Sequence, residues 1–282
     1  MQNTGCIWLI GGTGDSAMLS TLLDAVAIPY LVSVTTEAAI ALYPQTPRAQ
    51  IWVGRLTPLQ IPSFLQAHQI TAIVDASHPF AVEISRHAIA AAHQAAIPYL
   101  RYERAALAPS PSSEPTPLAQ PDRVSTAAMP LLPEFRDVAA LLASGILNGH
   151  RVLLTLGYRF LAQFAPWQSK ATLFARILPS PVALEAAIAA GFTPDRLIAF
   201  RPPLSVHLEQ ALWQHWQISL VVTKASGRSG GEDIKRQVAQ TLGIPLATIA
   251  RPALTYPQQT SDMAHAIAFC QAQCQSSGVS SP

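Results

Sequence analysis

The 282-residue chain is short of charge: 12% of its residues are Asp, Glu, Lys or Arg, and they leave a formal net charge of +2. That balance gives no basic face for nucleic acid and no charged surface for a lipid headgroup, so neither partner is expected. Long apolar runs are missing as well; none approaches the roughly 18 residues a membrane helix needs. The opening Met1-Gln2-Asn3-Thr4 carries no basic residue, and Cys6–Ile10 is too short for a signal-peptide core, which points to the cytoplasm. Cysteine is scarce: Cys6, Cys270 and Cys274 make no disulfide framework. Cys270 and Cys274 with His265 fall short of the four ligands of structural zinc, so no metal site is expected. Half of the residues are hydrophobic, and the length suffices for two domains with a large core.

Strand and helix patterns alternate over the first hundred residues. Cys6–Ile10 reads as a strand covered on both faces, followed by a helix over Ala17–Val26. Strands are expected at 29–34, 49–53, 72–74 and 98–100, and helices at 58–68 and 82–95. Residues 106–133 then form a Pro-rich break, with seven prolines from Pro109 to Pro133. Such a segment suits neither a helix interior nor a central strand and reads as a loop or linker. Alternation resumes with a helix at 134–147, strands at 151–156, 172–177, 197–200, 220–222 and 245–249, and helices at 183–190, 205–215 and from Glu232. A last helix, 261–274, capped by Thr260 or Ser261, is expected to pack back on the first domain, ahead of a frayed tail. Repeated alternation implies parallel, doubly wound sheets with right-handed crossovers. The expected architecture is α/β, with two Rossmann-like doubly wound domains, 1–105 and 134–258, facing a cleft, and a C-terminal segment at 259–282.

Two stretches carry the chemistry. Gly12-x-Gly14-x-x-Ala17 follows the first strand and opens a helix, the context in which glycines let backbone N–H groups approach a dinucleotide pyrophosphate. Glu37 is about the right distance on to accept a ribose 2′-hydroxyl, while Thr35 and Thr36 suit a 2′-phosphate, so NADH and NADPH both remain open. The second stretch is Asp75-Ala76-Ser77-His78-Pro79-Phe80-Ala81, where an apolar strand empties a carboxylate, a hydroxyl and an imidazole at its carboxyl end. Pro79 suits a first helical turn, and a plainer account makes Ser77 a helix cap and His78 a solvated side chain.

Arg55, His78, Arg101, Arg104, Arg159, Arg176, Arg201, Lys224 and Arg228 all fall at expected carboxyl ends of strands. In a chain so low in charge, that concentration favours a polyanionic ligand, because guanidinium groups grip carboxylates bidentately. Thr223-Lys224-Ala225-Ser226-Gly227 has the composition of an anion nest, and its lysine precedes the glycine, unlike a P-loop.

Gly11-Gly12-Thr13-x-Asp15, the Asp75–Ala81 block, Arg101-x-x-Arg104, Arg176-Ile177-Leu178-Pro179, Thr223-Lys224-x-Ser226-Gly227 and Arg251-Pro252 together resemble, in order and over nearly the whole chain, the precorrin-6A reductase family. Ser77 stands where that family commonly has threonine, and Arg201-Pro202-Pro203-Leu204-Ser205 replaces a usual Gly-Pro-Phe-Ser stretch. The resemblance implies hydride transfer from NADPH or NADH to precorrin-6A or cobalt-precorrin-6A, a tetrapyrrole on the route to cobalamin. It implies that Gly12, Thr13, Gly14, Asp15 and Ser16 hold the pyrophosphate and that Ser33, Thr35 and Thr36 face the adenosine ribose. Gly54, Arg55, Ser77 and His78 border the nicotinamide. Arg101, Arg104, Arg159, Arg176, Lys224, Ser226 and Gly227 bind substrate carboxylates. Asp75 orients His78 or a backbone turn, and His78 positions the reactants or donates a proton. A non-catalytic nucleotide-binding redox sensor and a reductase of another polycarboxylate are the alternatives. The protein is expected to be a monomer or a homodimer.

Overall fold

The computed structural model describes residues 5–105, 107, 132–201 and 204–276. The linker expected at 106–133 lies, apart from Leu107, Leu132 and Pro133, outside the described residues, as do Pro202-Pro203 and the tail from 277. The chain forms two compact units, one of residues up to Ala105 together with those from Pro252 onward, the other ending at Arg251. No helix among the described residues is long and apolar enough to cross a membrane.

The first unit begins β1 (Cys6–Ile10), α1 (Gly14–Ala25), β2 (Tyr30–Val34), β3 (Ala49–Val53), α2 (Ile61–Ala67), β4 (Ile70–Asp75), α3 (Val82–Ala95) and β5 (Tyr99–Tyr102). The second comprises α4 (Val138–Ala143), β6 (Arg151–Leu154), β7 (Thr172–Ile177), α5 (Pro181–Ala189), β8 (Leu197–Ala199), α6 (Val206–His215), β9 (Leu220–Lys224), α7 (Glu232–Leu242) and β10 (Leu246–Ile249). The chain then returns to the first unit with β11 (Gln259–Thr260) and α8 (Met263–Ser276).

Every strand pairing is parallel, and the sheets run β3-β2-β1-β4-β5-β11 and β8-β7-β6-β9-β10. Each unit is therefore doubly wound, with strand order reversing beside its first strand, between β1 and β4 and between β6 and β9. The period-2 alternation of side chains sorts the first core into two layers. Ile7, Leu9, Tyr30, Val32 and Val74 pack with Leu19 and Leu23 of α1 and Ala266, Phe269 and Cys270 of α8. Trp8, Ile10, Leu31 and Ile73 pack with Ile61 and Phe64 of α2 and Ala88 and Ala92 of α3 on the other face. In the second unit, Leu153, Phe174 and Val221 pack against Trp213 of α6 and Val238 of α7.

Several expected boundaries move. The helix read at 134–147 shrinks to α4, because the Asp137 carboxylate caps it by accepting the Ala140 N–H and Gly145 turns with φ +70°. Helical turns of the 3₁₀ type at Glu37–Leu42 and Tyr158–Trp167 were not expected; the latter contains Pro166, a residue that usually ends a helix. At the last helix, Asp262 Oδ1 accepts the Ala264 N–H, so Asp262 meets the first turn instead of Thr260 or Ser261.

Candidate functional site

The glycine loop joins β1 to α1 at the reversal of strand order. Thr13 caps α1 by accepting the Ser16 N–H, and Ser16 Oγ accepts the Thr13 N–H in return. Gly12 has φ +96°, a conformation that costs glycine little, and a methyl on Gly12 or Gly14 would meet nothing within 4 Å. Both glycines are exposed, and the first-turn N–H groups of Gly14 and Asp15 donate to no group among the described residues. Open space over two glycines, with spare donors at the positive end of a 12-residue helix, fits a dinucleotide pyrophosphate. Thr13 Oγ1 also donates to Ala76 O at 2.8 Å, tying this loop to the turn after β4.

That turn is built from the buried side of the sheet. Asp75 is the last residue of β4, paired with Ile10 and Arg101, and is 0% exposed. Its Oδ1 accepts the Ser77 N–H at 3.0 Å and Arg101 Nη1 at 2.8 Å; its Oδ2 accepts Ser85 Oγ at 2.6 Å and Tyr99 Oη at 2.7 Å. Arg101, 1% exposed, spends its other side on Glu103 at 2.8 and 3.0 Å and lies against the Tyr256 ring. Burial drives the Tyr99 phenol up, reinforced by the Asp75 charge, so it stays an O–H donor. The Asp75 carboxylate thus holds the backbone turn, and Arg101, expected among the carboxylate ligands, is committed within the core.

The helix after this turn starts at Val82, as expected, with Ala81 before it and no side-chain cap, so the plainer account of Ser77 as a helix cap falls. Ser77 Oγ instead accepts Arg101 Nη1 at 3.2 Å. Pro79 and Phe80 form a tight turn in which Ala81 N–H donates to His78 O at 2.7 Å and Phe80 N–H to His78 Nδ1 at 3.2 Å. An Nδ1 that accepts leaves the proton of a neutral imidazole on Nε2.

The remaining first-unit candidates divide. Thr35 and Thr36 are exposed beyond β2, together with Glu37. Ser33 is 8% exposed, and its Oγ accepts Trp8 Nε1 at 2.8 Å. Gly54, after β3, has φ +147° and donates to Val34 O at 2.8 Å. Arg55 pairs with Glu83 at 2.9 Å on the exposed surface, an arrangement of little energetic consequence. Arg104 is paired with Asp15 of the glycine loop.

In the second unit, Lys224 ends β9 and lies 5.5 Å from the centre of the Phe160 ring, on the 3₁₀ segment that also carries the exposed Arg159. The expected nest after Lys224 already holds an anion of its own: Glu232 Oε2 accepts the Gly227 N–H at 2.7 Å, and Glu232 Oε1 pairs with Arg236 at 2.7 Å. The Ser226 N–H turns back to Lys224 O at 2.7 Å. Arg176 is bound to the buried Glu209 at 2.5 Å. Lys235 Nζ reaches Gly230 O at 2.8 Å and Gly231 O at 3.0 Å, bracing the same loop. Glu209, Glu232, Lys235 and the phenol of Tyr43, described below, escaped the sequence reading because none belongs to a motif.

Burial holds Lys224 at about 8, with Arg159 adding to the effect. Burial likewise holds Lys235 at about 7, followed by repulsion from Arg176 and opposed by Glu209, Glu232 and Asp233. Both values lie below the unfolded lysine value, so the unfolded chain binds these protons more tightly. Stability is therefore expected to rise with pH from about 7 to about 10, by at most about 1.4 kcal/mol per pH unit per lysine. Urea unfolding at 25 °C between pH 7 and 9.5 checks the slope, which should be shallower in Lys235→Met.

The family model described as precorrin-6x reductase CbiJ/CobK matches residues 6–271. A cobalt-precorrin-6A reductase of Synechocystis sp. is 48% identical over 271 residues, 96% of this chain and 98% of that protein. A cobalt-precorrin-6A reductase of Salmonella typhimurium is 32% identical over 89% of each chain. A precorrin-6A reductase of Rhodococcus erythropolis is also 32% identical, over 93% of this chain and 96% of its own. Among solved structures, CobK precorrin-6A reductase matches with a TM-score of 0.74 at 22% identity, covering 95% of this chain and 97% of that one, a likeness of fold. A match this continuous takes in both sheets, the glycine loop and the turn after β4, and by it the chain belongs to the precorrin-6x reductase family.

Proposed function

We propose that this protein transfers a hydride from a reduced nicotinamide dinucleotide to one double bond of precorrin-6A or cobalt-precorrin-6A, giving the dihydro 6B form in cobalamin biosynthesis. The observation that carries this reading is the end-to-end likeness to cobalt-precorrin-6A reductases, 48% identical to the Synechocystis protein. When bound, the dinucleotide supplies the hydride; the chain's task is to hold two reactants in reach of one another. The N–H groups of Gly14 and Asp15 at the start of α1 take the pyrophosphate in the open space left by Gly12 and Gly14, on a loop held by Thr13, with Thr35, Thr36 and Glu37 meeting the ribose. Ser77, His78 and Gly54 border the nicotinamide. Substrate carboxylates go to Lys224, Arg159 and Ser226 of the second unit; Arg104, in the first, is paired with Asp15 of the glycine loop. Arg101 and Asp75 act as positioning residues, since their polar atoms are spent on each other and on the turn.

Reduction of the double bond also needs one proton on the second carbon, and in this reading water supplies it. His78, with its proton on Nε2, donates a hydrogen bond that orients the acceptor. His78→Ala is then expected to lower kcat about tenfold, the scale of one neutral hydrogen bond, while the pH dependence of turnover keeps its shape. A variant that loses one limb of the pH profile would make His78 the acid. The overall reading is tested by an anaerobic absorbance assay offering NADH and NADPH with both substrate forms. Oxidation of either nicotinamide dependent on the tetrapyrrole supports it, and no oxidation with either substrate form overturns it. The same assay separates the two nicotinamides and the two substrate forms.

A further inference from the structure

We propose that Tyr43 is a cofactor-positioning residue: its phenol takes the Gly12 N–H and braces Ser16, so that the glycine loop presents the Gly14 and Asp15 N–H groups, and not that of Gly12, to the pyrophosphate. The inference rests on the assignment of the glycine loop to the dinucleotide.

Tyr43 is 31 residues from Gly12 in sequence, 5% exposed, and belongs to none of the recognised motifs. Its Oη accepts the Gly12 N–H at 2.6 Å and lies 2.7 Å from Ser16 Oγ. Ser16 Oγ donates to Thr13 O at 2.8 Å, so the single serine proton is spent. With that proton on Thr13 O, the hydrogen bond between the two hydroxyls runs from Tyr43 to Ser16; in either direction the phenol oxygen holds both Gly12 and Ser16 of the loop. Burial pushes the Tyr43 hydroxyl up, which keeps that donor in place.

Gly11 records the same arrangement. A methyl there would lie 2.4 Å from Tyr43 Oη and 2.7 Å from Val32 Cγ1, too close for either neighbour. The first glycine of the loop is thus required by the tyrosine, and the open space over Gly12 and Gly14 is left for the ligand. Tyr43 also closes the segment that leaves β2 through Thr35 and Thr36 and the 3₁₀ turn Glu37–Leu42. The stretch assigned to the ribose and the loop assigned to the pyrophosphate are therefore joined by one side chain.

Tyr43→Phe keeps the ring and removes the oxygen. It is tested in the full chain by fluorescence titration with NADPH and NADH, by steady-state kinetics with cobalt-precorrin-6A and by thermal melting. The expected result is a folded protein whose nicotinamide Kd and KM rise about tenfold, the scale of one lost hydrogen bond and a misaligned loop. The KM for the tetrapyrrole and kcat at saturating cofactor stay at wild-type values, a split that general loosening of the fold would not produce. Gly11→Ala, which displaces the phenol by contact, should give the same selective loss and serves if Tyr43→Phe does not fold. A nicotinamide Kd within twofold of wild type in these variants, or equal rises in both KM values, overturns the inference alone. A wild-type protein that binds neither nicotinamide overturns it together with the assignment of the loop.

Discussion

Replacing Asp75 with alanine is expected to cost about 3 kcal/mol of stability, the low end for breaking a buried ion pair, because it takes one of two carboxylates from a buried guanidinium. The carboxylate is fully buried and collects four hydrogen bonds, from Ser77 N–H, Ser85 Oγ, Tyr99 Oη and Arg101 Nη1. Arg101 keeps Glu103 when Asp75 is gone, so the loss falls short of stranding the whole charge. Arg101→Met alone should cost a similar amount by stranding the carboxylate, which retains its neutral donors. The double variant should recover at least about 1 kcal/mol of the summed losses, since neither charge is then left alone. Urea unfolding of the three variants checks this. Single losses below about 1 kcal/mol, or strict additivity, would mean that the pair does not organise the turn. The experiment also separates a core role for Arg101 from a ligand role, which would raise the KM for the tetrapyrrole and leave unfolding unchanged.

The second large effect is expected at the glycine loop. Gly12→Ala forces a side chain into φ +96°, and Gly14→Ala does not, yet a methyl at either position enters open space. Gly12→Ala should therefore lose about 1–2 kcal/mol of stability and Gly14→Ala almost none. Both should weaken nicotinamide binding on the order of tenfold to a hundredfold, if the methyl displaces one charge-assisted hydrogen bond of about 1.5–3 kcal/mol. Fluorescence titration with each nicotinamide, set beside the urea midpoint, distinguishes the two contributions. A Gly14→Ala protein that binds cofactor as well as wild type would place the pyrophosphate elsewhere.

The outline of this protein was legible from local patterns. Cys6–Ile10 and Ala72–Val74 are apolar at every position because both faces of their sheet are covered, and the helices between them carry a single apolar stripe. The glycine loop was readable for a similar reason: the fingerprint lies within six residues, directly after a strand, and its mechanism is local. Charged residues at strand ends were less legible where their partners are distant in sequence. The pairing of Arg101 with Asp75 follows from the register of β5 on β4, which no local pattern records. Arg176 and Gly227 looked open until Glu209 of α6 and Glu232 of α7 met them.

Periodicity and glycine spacing by themselves determined a doubly wound α/β chain with a glycine-rich loop after its first strand, because both signals act within a few residues of backbone. Which polar groups face a ligand and which cancel one another was decided only in the tertiary structure. A buried charge has to find its partner across strands and helices far apart in the chain, and no local pattern records where that partner lies.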